Sequence, residues 1–101
     1  MKKVKEAPTA ADQVYQARRR NRMDPKYHAF LARTRRVAEK LDNYMRFRAA
    51  KEGVGYEFDP AFYQTAMWLG CDTFFGVTVK GDELIGDEQQ PTLFKRWKAI
   101  Q

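Results

Sequence analysis

Serine is entirely absent from this 101-residue chain, and histidine and cysteine occur once each, as His28 and Cys71. The absence of serine excludes a serine nucleophile. A zinc site needs about four ligands, usually Cys or His, which the chain does not supply. Gly53 and Gly55 lack the preceding strand and the following helix that a phosphate-binding loop requires. These absences predict a protein that is not an enzyme and that uses no metal or cofactor.

The single cysteine also bears on the cellular compartment. Cys71 has no second cysteine with which to form an internal disulfide, and no secretory signal peptide opens the chain. The sequence therefore favours a reducing, intracellular location. The N-terminal region is rich in arginine and poor in acids, as mitochondrial targeting segments are, so a mitochondrial location is one hypothesis. Cys71 lies in an apolar run, which predicts a buried, unreactive thiol.

Charge is abundant and unevenly distributed. Residues 1–52 contain 15 Lys and Arg against 6 Asp and Glu, a net of +9, whereas residues 53–101 contain 4 against 7, a net of −3. This asymmetry predicts that the basic half contacts an anionic surface of a protein, a nucleic acid or a lipid, although a merely solvated face is the alternative. The residues expected to make the contact are Arg18, Arg19, Arg20, Arg22, Arg33, Arg35 and Arg36.

The first 23 residues are predicted to form a basic N-terminal arm. Thr9 offers a weak helix cap, and a short helix over residues 10–22 follows. Its apolar face is thin, since Val14 and Ala17 are its main members. A helix with so little apolar surface is expected to be stable only against a partner.

Residues 24–101 are predicted to form a small helical domain that begins with a long amphipathic helix over residues 25–52. Asp24 can cap this helix, Pro25 suits its first position, and Gly53 can end it. At 1.5 Å per residue the helix is roughly 40 Å long, so we expect it to project beyond its own core or to lie along another protein.

A more apolar region follows the long helix. The pattern predicts an apolar helix over residues 60–75, a short β-hairpin over 77–85, a solvated acidic loop over 86–90 and a short helix over 91–100. The fold class is therefore mainly α. The residues expected to pack in the core or against a partner are Tyr27, Phe30, Leu31, Val37, Leu41, Tyr44, Trp68 and Trp97.

Residues 61–79 are the one stretch whose length suits a membrane span. Asp72 lies near its centre, where a carboxylate costs about 2.5–3.5 kcal/mol on insertion scales. The sequence therefore favours a buried helix over a span.

Three functions remain open at this point. The thin core, the long helix and the surplus of aromatic residues favour an accessory or structural subunit of a multiprotein assembly, such as a mitochondrial complex or a virion-type particle. An alternative is an RNA- or DNA-binding protein, in which the arginines neutralise phosphates and Tyr15 or Tyr27 stacks on bases. A further alternative is a small regulator or inhibitor of one host protein.

Overall fold

The computed structural model describes residues 11–101. Within them lie four helices and one three-stranded antiparallel sheet, which confirms the mainly α fold class. The Lys-rich start of the chain and the predicted cap at Thr9 lie outside the described residues. The elements are α1 (Ala11–Arg20), α2 (Pro25–Glu52), α3 (Pro60–Trp68), β1 (Thr73–Phe74), β2 (Val77–Lys80), β3 (Glu83–Asp87) and α4 (Pro91–Ala99).

The long helix α2 has the predicted bounds. The Asp24 carboxylate accepts a hydrogen bond from the Lys26 amide at 2.9 Å, and Gly53 ends the helix in the left-handed conformation with φ 73°. Buried residues run from Tyr27 in the first turn to Ala49 in the last. The expectation that α2 projects beyond its own core is therefore wrong, because buried positions occur from its first turn to its last, with Phe30 and Leu31 half-buried between them.

The apolar helix α3 ends at Trp68 rather than at residue 75. Gly70 adopts a left-handed conformation with φ 100°, and the Cys71 amide donates to the Ala66 carbonyl at 3.0 Å. These are the features of a Schellman C-cap, which only a residue tolerant of positive φ completes without strain. The chain then turns back as a strand instead of continuing as a helix.

The sheet contains one strand more than the predicted hairpin. Phe75 and Gly76 both have positive φ, at 52° and 90°, which is the backbone of a type I′ turn between β1 and β2. The hairpin of β2 and β3 extends to Asp87, past the predicted end at residue 85. Residues 61–79 are thus divided among a helix and two strands. No helix in the described part of the chain is both long enough and apolar enough for a membrane crossing.

Helix α1 packs against α3 instead of forming a separate arm. Val14 and Ala17 are both 0% exposed, and Val14 belongs to the main hydrophobic cluster. The helix that was expected to be stable only against a partner thus has one within the chain, since Val14 and Ala17 are enclosed where α1 packs against α3. The other members of the cluster are Val37, Ala38, Leu41, Tyr44, Met45, Phe62, Tyr63, Ala66, Phe74, Val77, Leu84, Phe94 and Trp97.

The residues predicted to pack lie in or beside this interior. Five of them are buried, namely Tyr27, Val37, Leu41, Tyr44 and Trp97. Three others, Phe30, Leu31 and Trp68, are half-buried. Trp68 contacts both Tyr27 and Phe30 edge to face, with ring centroids 5.4 Å apart in each pair. Most of the aromatic side chains therefore pack inside the fold.

Candidate anion-binding surface

The arginines of α1 lie at the carboxyl end of that helix, where cations interact favourably with the helix dipole. Arg18 is half-buried, and its guanidinium lies 3.9 Å from the Asp59 carboxylate and 5.9 Å from the centre of the Tyr15 ring. Arg18 therefore has an intramolecular role. The three remaining arginines of this segment, Arg19, Arg20 and Arg22, are exposed.

Three predicted arginines of α2 are brought together. Arg33, Arg35 and Arg36 are all exposed and line one shallow depression of about 350 Å³, to which Glu39 and Asp82 also contribute. Arg35 is partly neutralised, since its Nε lies 3.4 Å from the Glu39 carboxylate. Arg33 lies over the Phe30 ring at 5.3 Å, which positions its guanidinium without neutralising it. Neither Arg33 nor Arg36 forms a salt bridge with any residue in the described range.

Two lysines that were not singled out in the sequence extend this surface. Lys26, Arg33, Arg36 and Lys40 follow one another at intervals of seven, three and four residues, which places them on one side of α2. All four are exposed. We call them the basic stripe. Lys40 donates to the Asp82 backbone carbonyl at 3.0 Å, and this acceptor is not a carboxylate. Helical spacing was the signal that could have identified both lysines.

Arg48, on the same helix, has a different environment. It is largely buried, and its Nη1 donates to the Phe75 carbonyl and to the Asp87 carboxylate, both at 2.8 Å. The Tyr44 hydroxyl donates to the same carboxylate at 2.6 Å. Burial, followed by this hydrogen bond, raises the pKa of Tyr44. Asp87 is 1% exposed, so the prediction of a solvated acidic loop is wrong at this position.

Asp87 also stabilises the start of α4. Its second carboxylate oxygen accepts from the backbone amides of Gln89 and Gln90, at 2.9 and 3.0 Å. A buried carboxylate is tolerated because every lone pair direction is used. The sequence indicated neither Arg48 nor Asp87, since nothing local shows that residues so far apart in the chain meet.

A second polar network joins α2 to the segment that precedes α3. The Tyr56 hydroxyl donates to the Asp42 carboxylate at 2.8 Å, so the Tyr63 hydroxyl, 2.7 Å away, donates to Tyr56. Arg46 closes the network with its Nε 3.0 Å from Asp42. Burial is the main cause that raises the pKa of Tyr56 and Tyr63. All charges here are compensated internally.

The remaining candidate residues have local partners. The His28 ring Nε2 donates to the Arg22 carbonyl and so helps to close the turn between α1 and α2. The Cys71 thiol is partly buried and donates to the Thr73 carbonyl at 3.3 Å. Residues 11–101 contain no group of three or more His, Cys, Asp or Glu side chains placed to hold a metal ion.

Tyr27, proposed as a base-stacking residue, cannot serve that purpose. It is 4% exposed, and its hydroxyl lies 2.7 Å from the Thr65 hydroxyl inside the fold. Tyr15 is 40% exposed, although one side of its ring contacts Phe62 at 6.1 Å between centroids. The surface that remains is one of exposed cations rather than of exposed aromatic rings.

Residues 11–101 thus form a small, mainly α fold with a basic stripe on α2 in which Arg33 and Arg36 have no salt-bridge partner within that range. Comparison of the chain with protein-family models, with curated proteins and with solved structures finds no match.

Proposed function

We propose that this chain is a non-enzymatic accessory or structural subunit that docks onto an anionic surface of a larger assembly. The observation that carries the proposal is the pair Arg33 and Arg36, two exposed cations on one stripe with no carboxylate within salt-bridge distance in residues 11–101. Arg18, Arg35, Arg46 and Arg48 each lie within 4.0 Å of a carboxylate, whereas the exposed Arg19, Arg20, Arg22 and Arg96 share the unpaired state of the stripe within residues 11–101. An anionic partner would supply the compensation that the stripe lacks.

The contrast with the other arginines supports this proposal. Arg46 pairs with Asp42, and Arg48 pairs with both Asp87 and Glu52. The chain therefore has acids available and places them beside other cations. A stripe left uncompensated in such a fold is better explained by a partner than by solubility, for which a mixed surface suffices.

The mode of docking differs from the one that the sequence favoured. The apolar face of α1 and most of the apolar stripe of α2 are covered inside the fold, and Phe30 and Leu31 of that stripe are half-buried. Association through these faces would require the domain to open. Docking is therefore electrostatic. A mitochondrial complex and a virion-type particle are the two alternative assemblies. A reducing, intracellular compartment is consistent with the single cysteine, Cys71.

Velocity sedimentation of lysates from the native cell tests the proposal. The wild-type chain, carrying a C-terminal tag, is compared with Arg33→Glu/Arg36→Glu and with Lys95→Glu/Arg96→Glu, which reverses two exposed cations on α4. We expect the wild type and the α4 variant to sediment with a large particle and the stripe variant to sediment as a free 12 kDa chain. The proposal fails if the wild type sediments alone, or if the stripe variant stays with the particle.

A further inference from the structure

We infer that the anionic surface bound by the basic stripe is the phosphate backbone of a nucleic acid, contacted without regard to base sequence. This inference rests on the proposed function and names the chemistry of its partner. An acidic protein surface is the competing partner. A nucleic acid and an acidic protein would need different residues around the stripe for binding.

A protein partner would use apolar anchors, and the four side chains of the stripe provide none, although a depression that adjoins Arg33 is lined by Phe30, Met67 and Val79. Protein interfaces are held by a few large, buried side chains, mainly aromatic residues and arginine, within a desolvated core. The exposed positions of α2 beside the stripe are small or polar, as Ala29, Ala32 and Asn43 show. Met23, which is 86% exposed, lies three residues before Lys26, and the other large exposed apolar residues are scattered through the fold: Tyr15, Val54, Leu69, Ile85 and Ile100. A backbone of phosphates demands cations and no such anchor.

The length of the stripe suits a polyphosphate backbone. From Lys26 to Lys40 the helix rises about 21 Å at 1.5 Å per residue. One strand of a duplex carries a phosphate every ~3.4 Å along its axis, or about six phosphates over this length. Because the strand also winds around the duplex, only some of these phosphates face the stripe at one time, and the two arginines are close enough together to contact neighbouring ones. Arginine adds a planar fork that binds phosphate oxygens in pairs, so Arg33 and Arg36 are the strongest contacts.

The absence of free rings beside the stripe indicates backbone contact rather than base readout. Phe30 is half-buried against Trp68, and Tyr27 is buried. Single-stranded bases are usually held by stacking on exposed aromatic rings, which the stripe does not offer. The exposed cations Arg19, Arg20 and Arg22 precede α2 in the chain and add charge at the end where the stripe begins. A duplex bound through its phosphates is the ligand of best fit.

One carboxylate near the stripe makes the inference sharply testable. Asp82, in the turn between β2 and β3, lines the same depression as Arg33 and Arg36 and forms no salt bridge in residues 11–101. A negative charge at this place repels phosphate. Removing it should strengthen binding, which is an effect that a purely structural role of the stripe would not produce.

Fluorescence anisotropy with labelled 25-bp duplexes of DNA and RNA is the test. We expect binding that weakens with salt and that is equal for two unrelated base sequences. For DNA, each phosphate contact contributes about 0.9 to the magnitude of the slope of log K against log salt. Arg33→Gln/Arg36→Gln removes two contacts, so the magnitude of its slope should be lower than that of the wild type by about 1.8. Lys95→Gln/Arg96→Gln is the matched control and should keep the wild-type slope. Asp82→Asn should bind at least twofold more tightly at the same salt concentration.

Three results would overturn the inference: no wild-type binding at 50 mM salt, equal slopes in the stripe and α4 variants, or equally effective competition by polyglutamate of matched charge. Nuclease treatment before sedimentation separates this failure from failure of the proposed function. Release of the chain from the particle by nuclease supports the phosphate partner. A particle that survives nuclease and still requires Arg33 and Arg36 overturns the inference and leaves the docking function standing.

Discussion

Helix α2 holds arginines in two contrasting environments. Near its carboxyl end, Arg48 is largely buried and bonded to Asp87, Glu52 and a backbone carbonyl. Near its amino end, Arg33 and Arg36 are exposed and have no carboxylate partner in the described range. On one helix, arginine thus stabilises the fold near the carboxyl end and remains exposed and without a carboxylate partner in the described residues near the amino end. Burial and pairing, rather than residue type, separate a structural cation from a binding cation.

Replacing Asp87 should have the largest effect on the buried side of this comparison. Asp87→Ala leaves the Arg48 guanidinium and the Tyr44 hydroxyl without their buried acceptor. We expect the free energy of unfolding to decrease by about 3–5 kcal/mol, measured by urea denaturation monitored by tryptophan fluorescence. Glu88→Ala, which alters an exposed neighbour, should change it by less than about 0.5 kcal/mol. Similar losses in both variants would contradict a structural role for Asp87.

Replacing Val14 should have the next largest effect and tests whether α1 belongs to the folded unit. Val14→Ala removes two buried methyl groups at a fully enclosed position, so we expect a loss of about 1–3 kcal/mol. Trypsin should also cleave faster after Arg18, Arg19 and Arg20, because α1 opens more often. Gln13→Ala is the exposed control. If Val14→Ala were cleaved by trypsin at the wild-type rate, α1 would be a separate arm and not part of the folded unit.

Alkaline pH should weaken the buried networks by a smaller amount. The folded state raises the pKa of Tyr44, Tyr56 and Tyr63 above the ordinary value near 10, so these phenols ionise first in the unfolded chain. Their contribution to stability is complete below about pH 10 and is lost as the pH rises beyond it. Urea midpoints from pH 8 to pH 11 measure the effect. In Tyr56→Phe the urea midpoint should fall less steeply with pH, because one ionisable phenol is gone. A fall as steep as that of the wild type would contradict a contribution of Tyr56 to the pH dependence.

Neutralising the exposed cations should have the smallest effect on stability and so sharpens the comparison. Arg33→Gln/Arg36→Gln breaks no ion pair within residues 11–101, and glutamine retains helix propensity. We expect the free energy of unfolding to stay within about 0.5 kcal/mol of the wild type, by the same urea assay. Arg48→Gln should lose several times more, because it strands the Asp87 carboxylate. A large loss in the double variant would mean that the stripe stabilises the fold.

Much of the fold was predictable because its signals are local. Asp24 and Asp59 each precede a proline and each cap a helix, and the Asp59 carboxylate accepts from the Phe62 amide at 2.8 Å. The end of α3 was missed because Gly70 lies inside an apolar pattern that continues past it as far as residue 75. The strand β1 was missed for the same reason, since its two residues continue that pattern.

The candidate surface was predicted in part. The sequence identified Arg33, Arg35 and Arg36 as a group, and the structure brings them to one depression. It did not distinguish Arg35, which Glu39 partly neutralises, from the two cations that lack a carboxylate partner within residues 11–101. Arg18 also required the structure, because its partner Asp59 is distant in the chain.

The sequence by itself determined the helix starts, the apolar stripe of α2 and the concentration of positive charge in the first half of the chain. These follow from caps, periodicity and residue counts, which depend on neighbours along the chain. Only the tertiary structure decided that α1 joins the core, that the Asp87 carboxylate binds Arg48, and that Arg33 and Arg36 have no carboxylate partner among residues 11–101. Each of these depends on contacts between segments far apart in sequence, and such contacts are set by packing rather than by local preference.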